Sequence, residues 1–186
     1  MKQLTEYLNQ PLRLKQVSFF KRFYELRTSE EIIGSMQIRG FFGNSAEVNF
    51  TDKKPASQAQ RGEWEIYKPN LWKKDWEIRE SGYEIPFARF ERKFFRQASI
   101  VFLPVGEKVK IVFSPFRAKI EIQTEDGTCL IKMVNKFAWT DSSEVIVTAK
   151  SAIINKYPWL IMLAKLAAIE RKHSRSVTIP MLFGRF

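Results

Sequence analysis

Between residues 12 and 148 the chain repeatedly alternates apolar and polar side chains with a period of two. In GEWEIYKP, for example, Trp64 and Ile66 fall on one side of an extended chain, and Glu63 and Glu65 fall on the other. Such alternation is typical of a β-strand with one buried face and one face in water. About a dozen segments of this kind follow one another with short links, which predicts a closed barrel or a sandwich of strands.

Two stretches of the pattern make local predictions. Asp126 and Gly127 stand between two apolar-rich runs, which predicts a β-hairpin with a type I′ turn and positive φ at both central residues. In YEIPFARFER the apolar positions Tyr83, Ile85 and Phe87 alternate with other residues and predict a further strand.

A helical pattern occurs near the C-terminal end of the chain. From Trp159 to Ile169 the sequence WLIMLAKLAAI holds one charged residue, Lys165, and Pro158 before it suits a first helical turn. The run is shorter than the roughly 20 apolar residues that span a membrane, and it lacks the polar face of a surface helix. A helix that is apolar all round is typically buried all round. Lys165 must then reach a barrel mouth or find a partner.

Strands and helix together predict a mainly β protein. We expect a closed antiparallel β-barrel of about 12 strands wrapped around a buried hydrophobic C-terminal α-helix, because closure removes the edge strands that invite aggregation. The 186 residues are expected to form a single domain. Its parts are an N-terminal segment at 1–11, barrel strands at 12–149, a central helix region at 150–173 and a C-terminal extension at 174–186.

Four segments contain a series of predicted strands, the last of which leads into the predicted helix: FYELRTSEEIIGSMQIRG, SAEVNF, WEIYKP and EVIVTAKSAIINKYPWLIMLAKLAAIERK. In pattern and order these segments resemble the tubby C-terminal-like superfamily, which includes the LURP-one-related proteins and the phospholipid scramblases. The resemblance implies a barrel around a helix and, as in tubby-type domains, binding of phosphoinositide headgroups by exterior basic residues. It carries over no individual site residue. The acidic calcium-binding loop of the scramblases has no counterpart, since Asp141 and Glu144 are too few.

The charge of the chain favours an anionic partner. Its net charge is +11, from 31 Lys and Arg against 20 Asp and Glu, and this excess attracts nucleic acid and anionic lipid alike. A single cysteine, Cys129, and an N-terminus without an apolar signal core predict a cytoplasmic protein without a transmembrane segment. If the partner is lipid, the protein is expected to lie peripherally at the membrane.

Motifs for catalysis, metals and cofactors are sparse. The one histidine, His173, comes just after the apolar run without a GxSxG motif. One cysteine and one histidine are too few for a zinc site, and neither GxGxxG nor a P-loop motif occurs. We therefore predict no catalytic residue, no metal ligand and no cofactor, although two of the many carboxylates could still meet as an acid/base pair.

Two clusters that mix aromatic and basic residues are the candidate ligand-binding sites. The segments FFKRF and RFERKFFRQ supply Lys21, Arg22, Arg89, Arg92, Lys93 and Arg96. Cations beside aromatics suit anionic headgroups and single-stranded nucleic acid. A third explanation is that the aromatics enter the barrel and the cations only solubilise its outside. We predict a non-enzymatic binding or adaptor protein for anionic phospholipid headgroups at a membrane surface, with nucleic-acid binding and a carboxylate-pair hydrolase as the alternatives.

Overall fold

The computed structural model describes residues 3–18, 20–40, 44–50, 62–70, 75–92, 98–114, 118–136 and 141–178, with side chains as far as residue 172. Within these ranges the strands form one closed antiparallel barrel. They are β1 Pro11–Ser18, β2 Phe23–Arg27, β3 Ile32–Arg39, β4 Ser45–Phe50, β5 Gly62–Tyr67, β6 Trp76–Glu80, β7 Ala88–Glu91, β8 Ala98–Phe102, β9 Lys108–Phe113, β10 Lys119–Thr124, β11 Cys129–Lys136 and β12 Ser142–Val147. Two α-helices follow, α1 at Ala152–Lys156 and α2 at Leu160–Thr178, and 3-10 turns lie at Leu4–Tyr7 and Pro104–Gly106.

The barrel has the simplest possible strand order. Each strand pairs with its neighbours in sequence, and β1 closes the ring by pairing with β12, with Leu12 opposite Val145. The prediction of a mainly β protein with a closed antiparallel barrel of about 12 strands is confirmed. Because neighbouring strands run in opposite directions, connections after odd-numbered strands lie at one end of the barrel and those after even-numbered strands at the other.

Alternation along the strands builds the core. In β9, Val109, Ile111 and Phe113 are buried and the residues between them are half-buried, as a period of two requires. From Leu160 to Ala167 in α2 no side chain is more than 5% exposed. The buried strand residues and this part of α2 belong to one hydrophobic cluster.

The helical region is divided in two, which the sequence pattern did not predict. Ser151 caps α1, because its Oγ accepts a hydrogen bond from the Ile153 N–H at 3.2 Å. Tyr157 then leaves the helical conformation, with φ −125° and ψ 61°, since a residue that precedes proline is disfavoured there. Pro158 therefore lies in a turn ahead of α2 and not in its first turn, and α2 continues to Thr178, past the expected boundary at 173.

The strand predicted in YEIPFARFER forms only in its second half, as β7, and not at Tyr83, Ile85 and Phe87. These residues belong to the connection between β6 and β7, where Tyr83 is 65% and Ile85 81% exposed, and β7 begins only at Ala88. Pro86 has no N–H to donate to a ladder, which disfavours a strand at this point. The N–H of Phe87 donates to the Ile78 carbonyl of β6 at 2.9 Å, so pairing with β6 begins only past Pro86.

The predicted type I′ turn is also wrong, although the hairpin of β10 and β11 is present. Only Gly127 has a positive φ, 93°. The connection instead runs over four residues, 125–128, and the Asp126 carboxylate accepts a hydrogen bond from the Thr128 N–H at 3.2 Å. This bond from side chain to backbone stabilises a wider turn in which Asp126 avoids the left-handed region.

Candidate functional site

One end of the barrel collects cations. It consists of the connections after the odd-numbered strands together with the later part of α2, and we call it the basic end. Its described connections and the last described side chains of α2 contain six cations and three carboxylates: Lys21, Arg22, Lys68, Arg92, Arg171 and Lys172, and Asp75, Asp141 and Glu170.

Glu170 joins α2 to three parts of the sheet at the basic end. Trp76 Nε1 donates a hydrogen bond to Glu170 Oε2 at 3.1 Å, and Arg92 Nη1 lies 3.4 Å from the same oxygen. Lys68 Nζ forms a close ion pair with Glu170 Oε1 and stands 4.9 Å from the centre of the Trp76 ring. Among the described residues, one carboxylate thus meets two cations in this cluster.

A second polar network surrounds the buried lysine of α2. Lys165 is 1% exposed, and its Nζ donates to Asp141 Oδ1 at 2.6 Å and to Ser143 Oγ at 3.0 Å. Ser143 in turn donates to Asn135 Oδ1 at 2.6 Å, and the Tyr24 hydroxyl donates to Asp141 Oδ2 at 3.3 Å. A buried ammonium without a partner is costly. The contacts with Asp141 and Ser143 confirm the prediction that Lys165 finds a partner.

Burial shifts the pKa values inside this network in opposite directions. It lowers the pKa of Lys165, an effect that the charge of Asp141 and its hydrogen bond partly offset. It raises the pKa of Tyr24, and Asp141 raises it further, while Arg22 acts weakly the other way. The folded state therefore keeps the Tyr24 hydroxyl protonated at pH values at which an ordinary tyrosine is ionised.

Tyr24→Phe is expected to reduce the loss of stability at alkaline pH. The unfolded chain loses the Tyr24 proton near its ordinary pKa of 10.0, whereas the folded chain retains it. The contribution of Tyr24 to the free energy of unfolding is therefore fully present below pH 10 and is lost as the pH rises above that value. Urea unfolding at about pH 9 and pH 11 should show that the free energy of unfolding falls less in the variant than in the wild type, by about 1 kcal/mol. Lys165 acts oppositely, but it is common to both proteins. Equal falls would contradict the assignment.

The structure places the predicted site residues unevenly. Lys21 is exposed and Arg22 half-buried in the connection after β1, at the basic end. Arg92 lies at the same end, but its side chain is only 14% exposed and it is paired with Glu170. Arg89 points outward from β7, where its Nη2 lies 2.7 Å from Asp75 Oδ2 and 3.5 Å from Glu91 Oε1. Lys93 and Arg96 lie outside the described residues.

Several residues of the basic end were missed as site candidates. Lys68 and Trp76 flank the aromatic-basic segment LWKK at 71–74, which was not selected as a candidate site, and Lys68 is 102 positions away from Glu170. The helix-end sequence Glu170-Arg171-Lys172 lies outside both of the clusters that were selected as candidate sites. The cation of Arg171 lies 5.0 Å from the centre of the Phe113 ring at the end of β9, which places these helix-end charges at the barrel end.

At the other end of the barrel, the fully described connections between strands have the opposite charge, and we call it the acidic end. It contains the connections after the even-numbered strands. In those after β2, β6, β8 and β10, which are fully described, there are six carboxylates and no cation: Glu30, Glu31, Glu84, Glu107, Glu125 and Asp126. Lys150 and Lys156, in and near α1, are the cations that follow β12 at this end.

Other kinds of site find little support in the described ranges. No group of three metal-ligating side chains occurs there, and no helix there is long and apolar enough to cross a membrane. One surface groove is lined by Gln3, Thr5, Lys150, Ser151, Ala152, Asn155 and Lys156. A second is lined by Val112, Ser114, Lys119 and Glu121. Neither groove brings two carboxylates together, so the carboxylate-pair hydrolase stays a prediction without a site.

Comparison of the chain with protein-family models, with curated proteins and with solved structures found no match. The functional assignment therefore rests on the charge distribution and contacts of the barrel itself.

Proposed function

We propose that the protein is a non-enzymatic binding or adaptor protein of the cytoplasm that associates peripherally with anionic phospholipid headgroups through its basic end. The observation that carries the proposal is the separation of charge along the barrel. Cations gather where α2 ends, and the described connections after β2, β6, β8 and β10 at the opposite end carry only carboxylates. A negative membrane surface attracts the first end and repels the second, so it orients the molecule as well as holding it.

The proposal includes α2 as the axis of the barrel, as the resemblance to tubby-like proteins implies. It is supported by contacts of α2 with well-separated strands. Lys165 reaches Ser143 of β12, Glu170 reaches Trp76 of β6, and Arg171 stacks on the last residue of β9. A helix held on several sides of the ring would present its final charges at the basic end in a constant geometry, which is what a docking surface needs.

An exposed aromatic residue beside the cations of this end supports lipid binding. Phe20 is 97% exposed in the connection after β1, directly before Lys21 and Arg22. A ring next to cations suits the membrane interface, where the ring enters the headgroup boundary and the cations meet phosphates. In sequence, the connections after β5 and β7 add the same combination, LWKK at 71–74 and KFFRQ at 93–97.

Vesicle sedimentation tests the proposal with the wild-type protein. The protein should pellet with vesicles of phosphatidylcholine and phosphatidylserine and remain in the supernatant with phosphatidylcholine alone. At about 1 kcal/mol for each basic residue near the surface, Lys21 and Arg22 by themselves give a preference of about 30-fold. Rising salt should reduce the preference. Equal recovery in the supernatant with both vesicles would overturn the function, and salt-sensitive binding of single-stranded DNA in its place would support the nucleic-acid alternative.

A further inference from the structure

We propose that the protein associates head to tail, with the acidic end of one copy binding the basic end of a second copy. The inference assigns a role to the acidic end, which the lipid-binding function does not use, and it shares the basic end with that function. It does not depend on that function, because it rests on the chemistry of the acidic end and on its match to the basic end.

The acidic end exposes large apolar side chains close together. Tyr83 is 65% and Ile85 81% exposed in the connection after β6, and Val105 is 90% exposed in the connection after β8. These connections are adjacent at this end, because β6, β7, β8 and β9 are consecutive in the sheet. Single exposed apolar residues are ordinary, but three large ones in neighbouring loops indicate a contact surface.

Val105 is held in a strained conformation while it exposes its side chain. Its φ is 65° and its ψ 18°, the left-handed region in which a β-branched residue is a clear outlier. Glycine or asparagine would adopt this conformation with less strain, and Gly106 follows with φ 79°. Folding alone does not explain a strained valine that is almost fully in water. Strain of this kind is concentrated at functional sites, which fits a residue that contacts a partner.

Charges select which surface this partner presents. Glu84 and Glu107 lie beside the exposed apolar residues of the acidic end, and Lys21 and Arg22 follow Phe20 at the basic end. Contact between two acidic ends or two basic ends would place like charges together, whereas contact between unlike ends pairs them. The closed barrel has no edge strand to extend. The two ends therefore form a heterologous interface, which propagates as a chain of copies.

The acidic end of a second copy and an anionic membrane are both negatively charged, so both can bind the basic end. A second copy and an anionic vesicle therefore compete for the basic end in solution. On a membrane, the first copy binds lipid and its acidic end remains available to the next copy.

Sedimentation velocity with two complementary variants tests the interface. Ile85→Ser/Val105→Gly alters only the acidic end, and V105G relieves backbone strain, so this variant should fold normally. Lys21→Glu/Arg22→Glu alters only the basic end. We expect the wild type to grow in mass with concentration and to dissociate at high salt, and each variant to lose about tenfold or more in self-association.

The mixture of the two variants gives the decisive result. Ile85→Ser/Val105→Gly keeps a basic end and Lys21→Glu/Arg22→Glu keeps an acidic end, so an equimolar mixture should form a 1:1 complex and nothing larger. A wild type that stays monomeric at its highest soluble concentration overturns the proposal, and so does a mixture without a complex. Because Ile85→Ser/Val105→Gly should bind anionic vesicles like the wild type, failure here is separable from failure of lipid binding.

Discussion

Asp141→Ala is expected to lower the free energy of unfolding by about 2–3 kcal/mol. The substitution removes the carboxylate 2.6 Å from the Lys165 ammonium, which is 1% exposed and, among the described residues, keeps a hydrogen bond to Ser143 Oγ at 3.0 Å. Breaking a buried ion pair typically costs about 3–5 kcal/mol because the remaining charge is uncompensated. We expect a smaller value because the Asp141 side chain is 38% exposed and is partly screened by water. Urea unfolding near neutral pH measures the loss.

Lys165→Met is the matched control for this pair. Methionine has a similar length and is apolar, so it suits a buried position. The remaining Asp141 keeps the Tyr24 hydroxyl at 3.3 Å and its access to water. The loss should therefore be smaller than for Asp141→Ala, and adding Lys165→Met to Asp141→Ala should recover part of the stability. A Lys165→Met loss as large as that of Asp141→Ala would show that the ammonium itself stabilises the fold.

Lys21→Glu/Arg22→Glu should weaken partition onto anionic vesicles by about 100-fold or more. Each basic residue near an anionic surface contributes about 1 kcal/mol, and a glutamate at the same place adds repulsion. Lys21 is exposed and Arg22 half-buried in the connection after β1, so neither substitution removes core packing. Vesicle sedimentation at constant salt gives the partition coefficients.

Lys150→Glu/Lys156→Glu is the control of equal charge for this experiment. It alters net charge by the same amount, but both lysines are exposed at the opposite, acidic end. From Leu160 to Glu170, which contacts the basic end, α2 rises about 15 Å, about twice the Debye length of about 8 Å at physiological salt. The control should therefore lose no more than about threefold. Equal losses in the two variants would mean that net charge, and not the basic end, determines binding.

Local patterns predicted the strands because burial in a sheet depends on neighbours in sequence. Ile66 and Ile78 are fully buried where the alternation places them. The same rule failed at Tyr83 and Ile85, which remain in solvent ahead of Pro86, a residue that disfavours pairing. Whether an alternating segment becomes a strand depends on a partner strand, and that information is not local.

The candidate site was predictable only where its residues are contiguous. Lys21 and Arg22 stand together in sequence and remain together at the basic end. Arg92 was recognised as a cation, but its pairing with Glu170 was not, since α2 and β7 meet only in the folded chain. Trp76 shows the same limit, because its hydrogen bond to Glu170 joins residues that are 94 positions apart.

The sequence by itself determined which strand residues are buried and that the apolar run of α2 is too short to span a membrane, because periodicity and length are local properties. Only the tertiary structure decided that Lys21, Lys68, Arg92 and Arg171 share one end of the barrel and that Glu84, Glu107 and Val105 share the other. The physical reason is that the end at which a connection lies depends on the order, direction and closure of all the strands, which hydrogen bonds between distant segments establish.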